Sequence, residues 1–228
     1  MEVGTNHGIT DGVQKPRLRG WLHQAAFFAA VPAGVVLVVL APTAKARIAA
    51  AVFALSLVAL YGASAAYHRG DWTLTSRPRL KRLDHSMIFV LIAGTYTPFC
   101  LLVMPSPWSW ILLAVVWAGA ALGIVVKNAK IDGFHRVGGA LYITLGWVGV
   151  LMAPVAVSRL SPTVLVLVIT GGLLYTVGAI VLAGKRPNPS PRWFGYHEIW
   201  HGMTIVAGSC HFVAVLLVIL VTRSAVAA

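Results

Sequence analysis

HEIWHGMTIVAGSCHFVAVLLVILV, running from His197 to Val221, is the stretch that decides the fold. From Ile199 onward it is nearly all apolar. At about 1.5 Å of rise per residue, it is long enough to cross a bilayer as a helix. Its first two turns carry His197 and His201, four residues apart. On a helix these imidazoles lie one above the other, about 6 Å apart along the axis. Two rings held that way can grip one metal ion. Ionisable groups at the mouth of a spanning helix are costly, so they mark a functional site.

The rest of the chain has the same character. Of its 228 residues, 58% are hydrophobic and only 11% charged, too little polar material to cover a soluble fold. The composition predicts an all-α, integral membrane protein. Apolar runs follow one another at Ala25–Leu40, Ile48–Tyr67, Leu83–Met104, Trp108–Val126, Val137–Val157, Ser161–Ala183 and Ile199–Val221. Seven runs joined by short connections read as a seven-transmembrane-helix bundle of sequential antiparallel neighbours. No period-two alternation suggests a β-barrel. Residues 1–15 read as a mobile tail, and residues 16–228 as a single membrane domain. The first run is too long, and its charged approach too extended, for a signal peptide, despite Ala44-Lys45-Ala46 beyond it. Small residues at helical spacing, Gly62 with Ala66 and Gly171 with Gly178, predict close helix contacts.

Charge sets the expected orientation. Fourteen of the eighteen Lys and Arg fall in the N-terminal segment and the loops after the second, fourth and sixth runs. The positive-inside rule therefore puts the N-terminus in the cytoplasm and the C-terminus outside. The net charge of +12 is accounted for by topology and anionic headgroups, so no nucleic-acid partner is expected. Cys100 and Cys210 make neither a disulfide framework nor a thiolate metal site.

With that topology, the second run ends at the same membrane face where the third and seventh begin. Ser64, His68, Asp84, His197 and His201 are then all at one depth. Three histidines and a carboxylate suit Zn2+, with three protein ligands and a fourth position open. His68, His197 and His201 are the expected ligands. Asp84 is expected to handle the proton of the attacking water, and Ser64 to hydrogen-bond beside it. HEIWH also matches the HExxH pattern of zinc proteases, in which Glu198 would be the general base. A Glu next to a ligand points about 100° around the helix, however, and could instead serve basic loop residues. His211 lies about 15 Å further along the run, too deep for the same ion, and reads as a hydrogen-bonded interior histidine. His7, His23, His85 and His135 carry weaker signals. Thr95, Tyr96, Thr97 and Pro98 suit either a cavity lining or backbone repair around proline.

Several segments together resemble the hemolysin III family, bacterial relatives of the adiponectin and progestin receptors (the PAQR group) and, more distantly, of alkaline ceramidases. They are PRLRGWLH (16–23), SAAYH (64–68), RLDHSMIFVLIAGTYTPF (82–99), GGLLYTVGAI (171–180) and KRPNPSPRWFGYHEIWH (185–201). The resemblance implies a multi-pass protein of the bacterial cell membrane with an intramembrane zinc near the inner leaflet. It places the zinc-binding histidines at His68, His197 and His201, and the residues proposed to hold the zinc water at Asp84 and Ser64. It further implies lipid amide hydrolysis, and the residues themselves suit a hydrolase of a membrane lipid amide or ester. The alternatives it leaves open are a pore-forming cytolysin and a membrane-state sensor or receptor with a structural zinc.

Overall fold

The computed structural model describes residues 16–129 and 135–227. The tail expected at residues 1–15 lies outside them. Seven helical segments are long and apolar enough to cross a membrane, and no strand occurs among the described residues. We label the helices α1 (Trp21–Leu40), α2 (Ala44–Arg69), α3 (Ser76–Leu102), α4 (Trp108–Ala129), α5 (His135–Trp147), α6 (Ala153–Arg159), α7 (Pro162–Gly184) and α8 (Tyr196–Ala227). α5 and α6, joined by a 3-10 stretch at Val148–Met152, make up the fifth span.

Helix starts follow local chemistry. Thr43 caps α2 by accepting the Ala46 N–H at 3.2 Å, and Ser161 caps α7 by accepting that of Val164 at 3.4 Å. Pro162 follows Ser161 at the first helical position, where its missing N–H costs nothing. The third helix begins earlier than hydropathy suggests: Ser76 to Arg82 is already helical, because its basic residues are good helix formers even outside an apolar run.

The fifth span departs further from expectation, since it is broken. Pro154 cannot donate to the carbonyl four residues back, and Gly146 and Gly149 weaken the helix before it. The Ala153 N–H donates instead to the Val150 carbonyl, and backbone groups just before the break are satisfied from α3. The Tyr96 hydroxyl donates to the Gly146 carbonyl at 2.6 Å and accepts the Gly149 N–H at 2.9 Å. Tyr96 therefore repairs backbone, but in a neighbouring span rather than around Pro98.

Burial sorts the spans into inner and outer. The apolar windows of α2, α3 and α8 are 61%, 50% and 44% buried, whereas no other span exceeds 28%. Sequence neighbours pack together from α1 to α4 and again at α7 and α8, and α8 closes the bundle against α1 and α3. One core joins Leu37 of α1 with Phe53 and Leu57 of α2 and Val215 and Ile219 of α8. A second joins Phe89 and Cys100 of α3 to Val116 of α4. The small residues serve close contact as expected, with α7 meeting α8 through them. A Cβ on Gly171 would strike the His211 ring, and one on Gly178 would stand 2.7 Å from Trp200. The Gly62 partner is Phe27 of α1.

Candidate metal centre

The three inner helices bring their polar ends to one place. α2 ends at Gly70, whose N–H bonds the Ala66 carbonyl at 3.1 Å, and the Trp72 indole N–H bonds the same carbonyl at 2.9 Å. That closed last turn fixes His68 one turn beyond Ser64. α8 starts after Gly195, and its third residue, Glu198, reaches back to accept the Gly195 N–H at 2.8 Å. This is the carboxylate half of a capping box, with glycine at the cap. It locks the first turn, which carries His197, and His201 follows one turn on.

His68, His197 and His201 converge: each offers a ring nitrogen, and the three lie within 4.8 Å of one another. The Nε2 atoms of His68 and His197 are 3.2 Å apart. Two nitrogens bound tetrahedrally to one zinc, at about 2.0–2.1 Å each, stand about 3.3 Å apart. The donor set fits a metal ion in its chemistry, and the His68–His197 pair does so in its spacing as well. His68 and His201 are buried, and His197 is partly so. Asp84 of α3 places Oδ2 3.8 Å from His68 Nε2. Its carboxyl has the buried Ser64 hydroxyl as a side-chain hydrogen-bond partner. All five residues singled out in the sequence therefore meet at one end of the bundle.

One feature decides between the two roles the sequence left open for Glu198, and another differs from the sequence reading. Glu198 is only 1% exposed and is fully engaged, one oxygen paired with Arg19 and the other capping Gly195. It is a latch on α8, not a free base beside the histidines, so the protease pattern lacks its general base here. His23, given little weight in the sequence, is buried against the centre. Its ring stacks on His201 at 3.8 Å between centroids and 11° between planes, and its Nε2 lies 2.9 Å from the Thr204 hydroxyl. The available signal was the spacing of Arg19 and His23, four apart at the start of a span. Nothing local says what they touch. His211 is an interior histidine, with Nε2 3.2 Å from the Val168 carbonyl.

Comparison with known proteins agrees with this architecture. The family model described as Haemolysin-III related matches residues 12–212. The chain is a member of the haemolysin III family. This haemolysin III protein is 32% identical over 223 residues to Hemolysin-3 of Bacillus cereus, covering 95% of this chain and 97% of that one. It is 33% identical over 165 residues to the Hemolysin-3 homolog of Bacillus subtilis (strain 168), covering 72% and 74%. A more distant match is the human Monocyte to macrophage differentiation factor, 24% identical over 176 residues, covering 74% and 69%. It is a multi-pass membrane protein of that family.

Proposed function

We propose that this haemolysin III protein is a zinc-dependent hydrolase of the cell membrane that cleaves an amide or ester bond in a lipid. The observation that carries the reading is the convergence of three imidazole nitrogens within 4.8 Å at the end of the inner helices, with a buried carboxylate beside them. Zinc held there supplies a Lewis acid that polarises a carbonyl and acidifies water. His68, His197 and His201 are its ligands and must be neutral to bind it. Asp84 takes up the proton at Oδ2 and returns it to the leaving group, while the Ser64 hydroxyl orients that carboxylate. The positive-inside charge pattern puts this end of the bundle at the cytoplasmic leaflet. A site built into the polar ends of membrane helices calls for a reactant that arrives through the bilayer, which is why a lipid is the proposed substrate.

Metal analysis of detergent-purified protein beside its His197→Ala, His201→Ala variant tests the centre. Lipid turnover by reconstituted wild type and Asp84→Asn tests the chemistry. We expect zinc to be lost in the first variant, and turnover to be lost in the second with zinc retained. Turnover unchanged in Asp84→Asn would defeat the mechanism. The name of the Bacillus cereus relative supports a second reading, a cytolysin. Haemolysis that survives loss of His197 and His201 would favour it. A structural zinc in a sensor would instead leave stability dependent on metal, with no product formed from any lipid.

A further inference from the structure

We propose that the eight residues Pro16–His23 form a strap that sets the spacing of the three-histidine centre and so governs its metal affinity. The inference rests on the metal reading of that centre. The ligands come from two helices, α2 and α8, that share the core around Phe53, Leu57 and Val215 but each pack more extensively against other spans. Without an ion, the ligands themselves are joined across the helices by one His68–His197 contact, 3.2 Å between Nε2 atoms. The fine spacing at the ligand end is set by what packs around it, and the strap lies beside all three ligand positions.

Its first part pairs with the loop between α7 and α8. The Arg17 N–H donates to the Arg192 carbonyl at 3.0 Å and the Leu18 N–H to that of Trp193 at 3.2 Å. The Arg17 guanidinium lies over the Trp193 ring, 4.6 Å from its centroid. Arg19 then pairs with the buried Glu198 carboxylate, whose other oxygen holds the N-terminus of α8 at Gly195, two residues before His197. Next, Gly20 takes a left-handed φ of 83° and packs directly on His68. A Cβ there would lie 2.8 Å from the His68 Cβ and 3.0 Å from the Arg69 Cγ, so only glycine gives both the turn and the approach. Arg69 closes over the strap, its guanidinium 4.0 Å from the Trp21 ring centroid and its Nε donating to Gln24 Oε1 at 3.0 Å. Last, His23 stacks on His201 and reaches Thr204 one turn below it. Each contact lies beside a different ligand, and the strap links the ligand helices outside the metal shell.

Partners that orient ligands typically change metal affinity 10- to 100-fold when removed. The test is zinc competition titration, with the visible spectrum of the cobalt-substituted protein, on full-length wild type, Arg19→Ala, Arg19→Lys and His23→Phe. Gly123→Ala serves as the control: it crowds Phe89 at the α3–α4 contact, away from the strap. We expect Arg19→Ala to bind zinc about 10- to 100-fold more weakly with an altered cobalt spectrum, and Arg19→Lys to recover part of the loss. His23→Phe keeps a ring against His201 but loses the Thr204 bond, and should weaken binding less. Gly123→Ala should lose thermal stability with its zinc affinity intact. Should Arg19→Ala fail to fold, Arg19→Lys and His23→Phe are judged by the same readings. Wild-type affinity and spectrum in the strap variants, or an equal loss in Gly123→Ala, would overturn the strap while leaving the metal centre standing. A wild type that takes up no zinc would remove the centre and the strap together.

Discussion

Glu198→Gln separates a latch from a general base, because the two roles predict opposite patterns. The substitution preserves shape and keeps an oxygen for the Gly195 N–H, now bonded at 2.8 Å. It removes the negative charge that faces Arg19, whose side chain is 17% exposed against 1% for Glu198. Leaving one member of a fully buried ion pair alone costs about 3–5 kcal/mol, but the partial exposure of Arg19 lets water take up part of that loss. A lost charge-assisted hydrogen bond sets the lower bound at about 1.5 kcal/mol, so we expect a cost of about 2–3 kcal/mol. For a chain of this size that is a fall in Tm of about 4–12 °C. Thermal unfolding of the detergent-purified protein reads the stability, and lipid turnover is followed across a zinc titration. A latch predicts lower Tm, weaker zinc binding and turnover that recovers at saturating zinc. Unchanged Tm and zinc content with turnover abolished at every zinc concentration would refute the latch and restore Glu198 to the chemistry.

Other predictions follow from the same geometry. Zinc affinity should fall on acidification, since protons compete for the imidazoles; zinc content unchanged on equilibrium dialysis down to the most acid pH at which the protein stays folded would contradict this. Ser64→Ala should retain zinc but slow lipid turnover about 10- to 100-fold, because the Asp84 carboxyl loses its buried hydroxyl partner; wild-type turnover would show that the hydroxyl does no orienting. Tyr96→Phe strips a partner from both the Gly146 carbonyl and the Gly149 N–H in a bilayer with no water to replace it. A cost of about 2 kcal/mol is expected, read as a fall in Tm with zinc affinity unaltered.

Much of the candidate site was legible before any coordinates. Ser64 and His68, like His197 and His201, are four apart on a helix, so each pair shares a face whatever the tertiary packing. Counting spans then brings the end of α2 level with the starts of α3 and α8. This works because a bilayer forces every span to begin and end at one of two planes. The break in the fifth span was less visible. Proline and glycine are tolerated in membrane helices when a neighbour satisfies the backbone, and Tyr96 is fifty residues away from Gly146.

What the sequence determined by itself was the set of membrane helices, their order and the depth of each polar group, because apolar length and local helical spacing fix these one segment at a time. Tertiary structure alone decided which of the inner helices face one another and what Arg19, His23 and Glu198 do. Arg19 and Glu198 are 179 residues apart, His23 and Thr204 181. No periodicity connects partners at that distance. Their pairing depends on the rotation of α1 against α8, and packing of the whole bundle sets that angle.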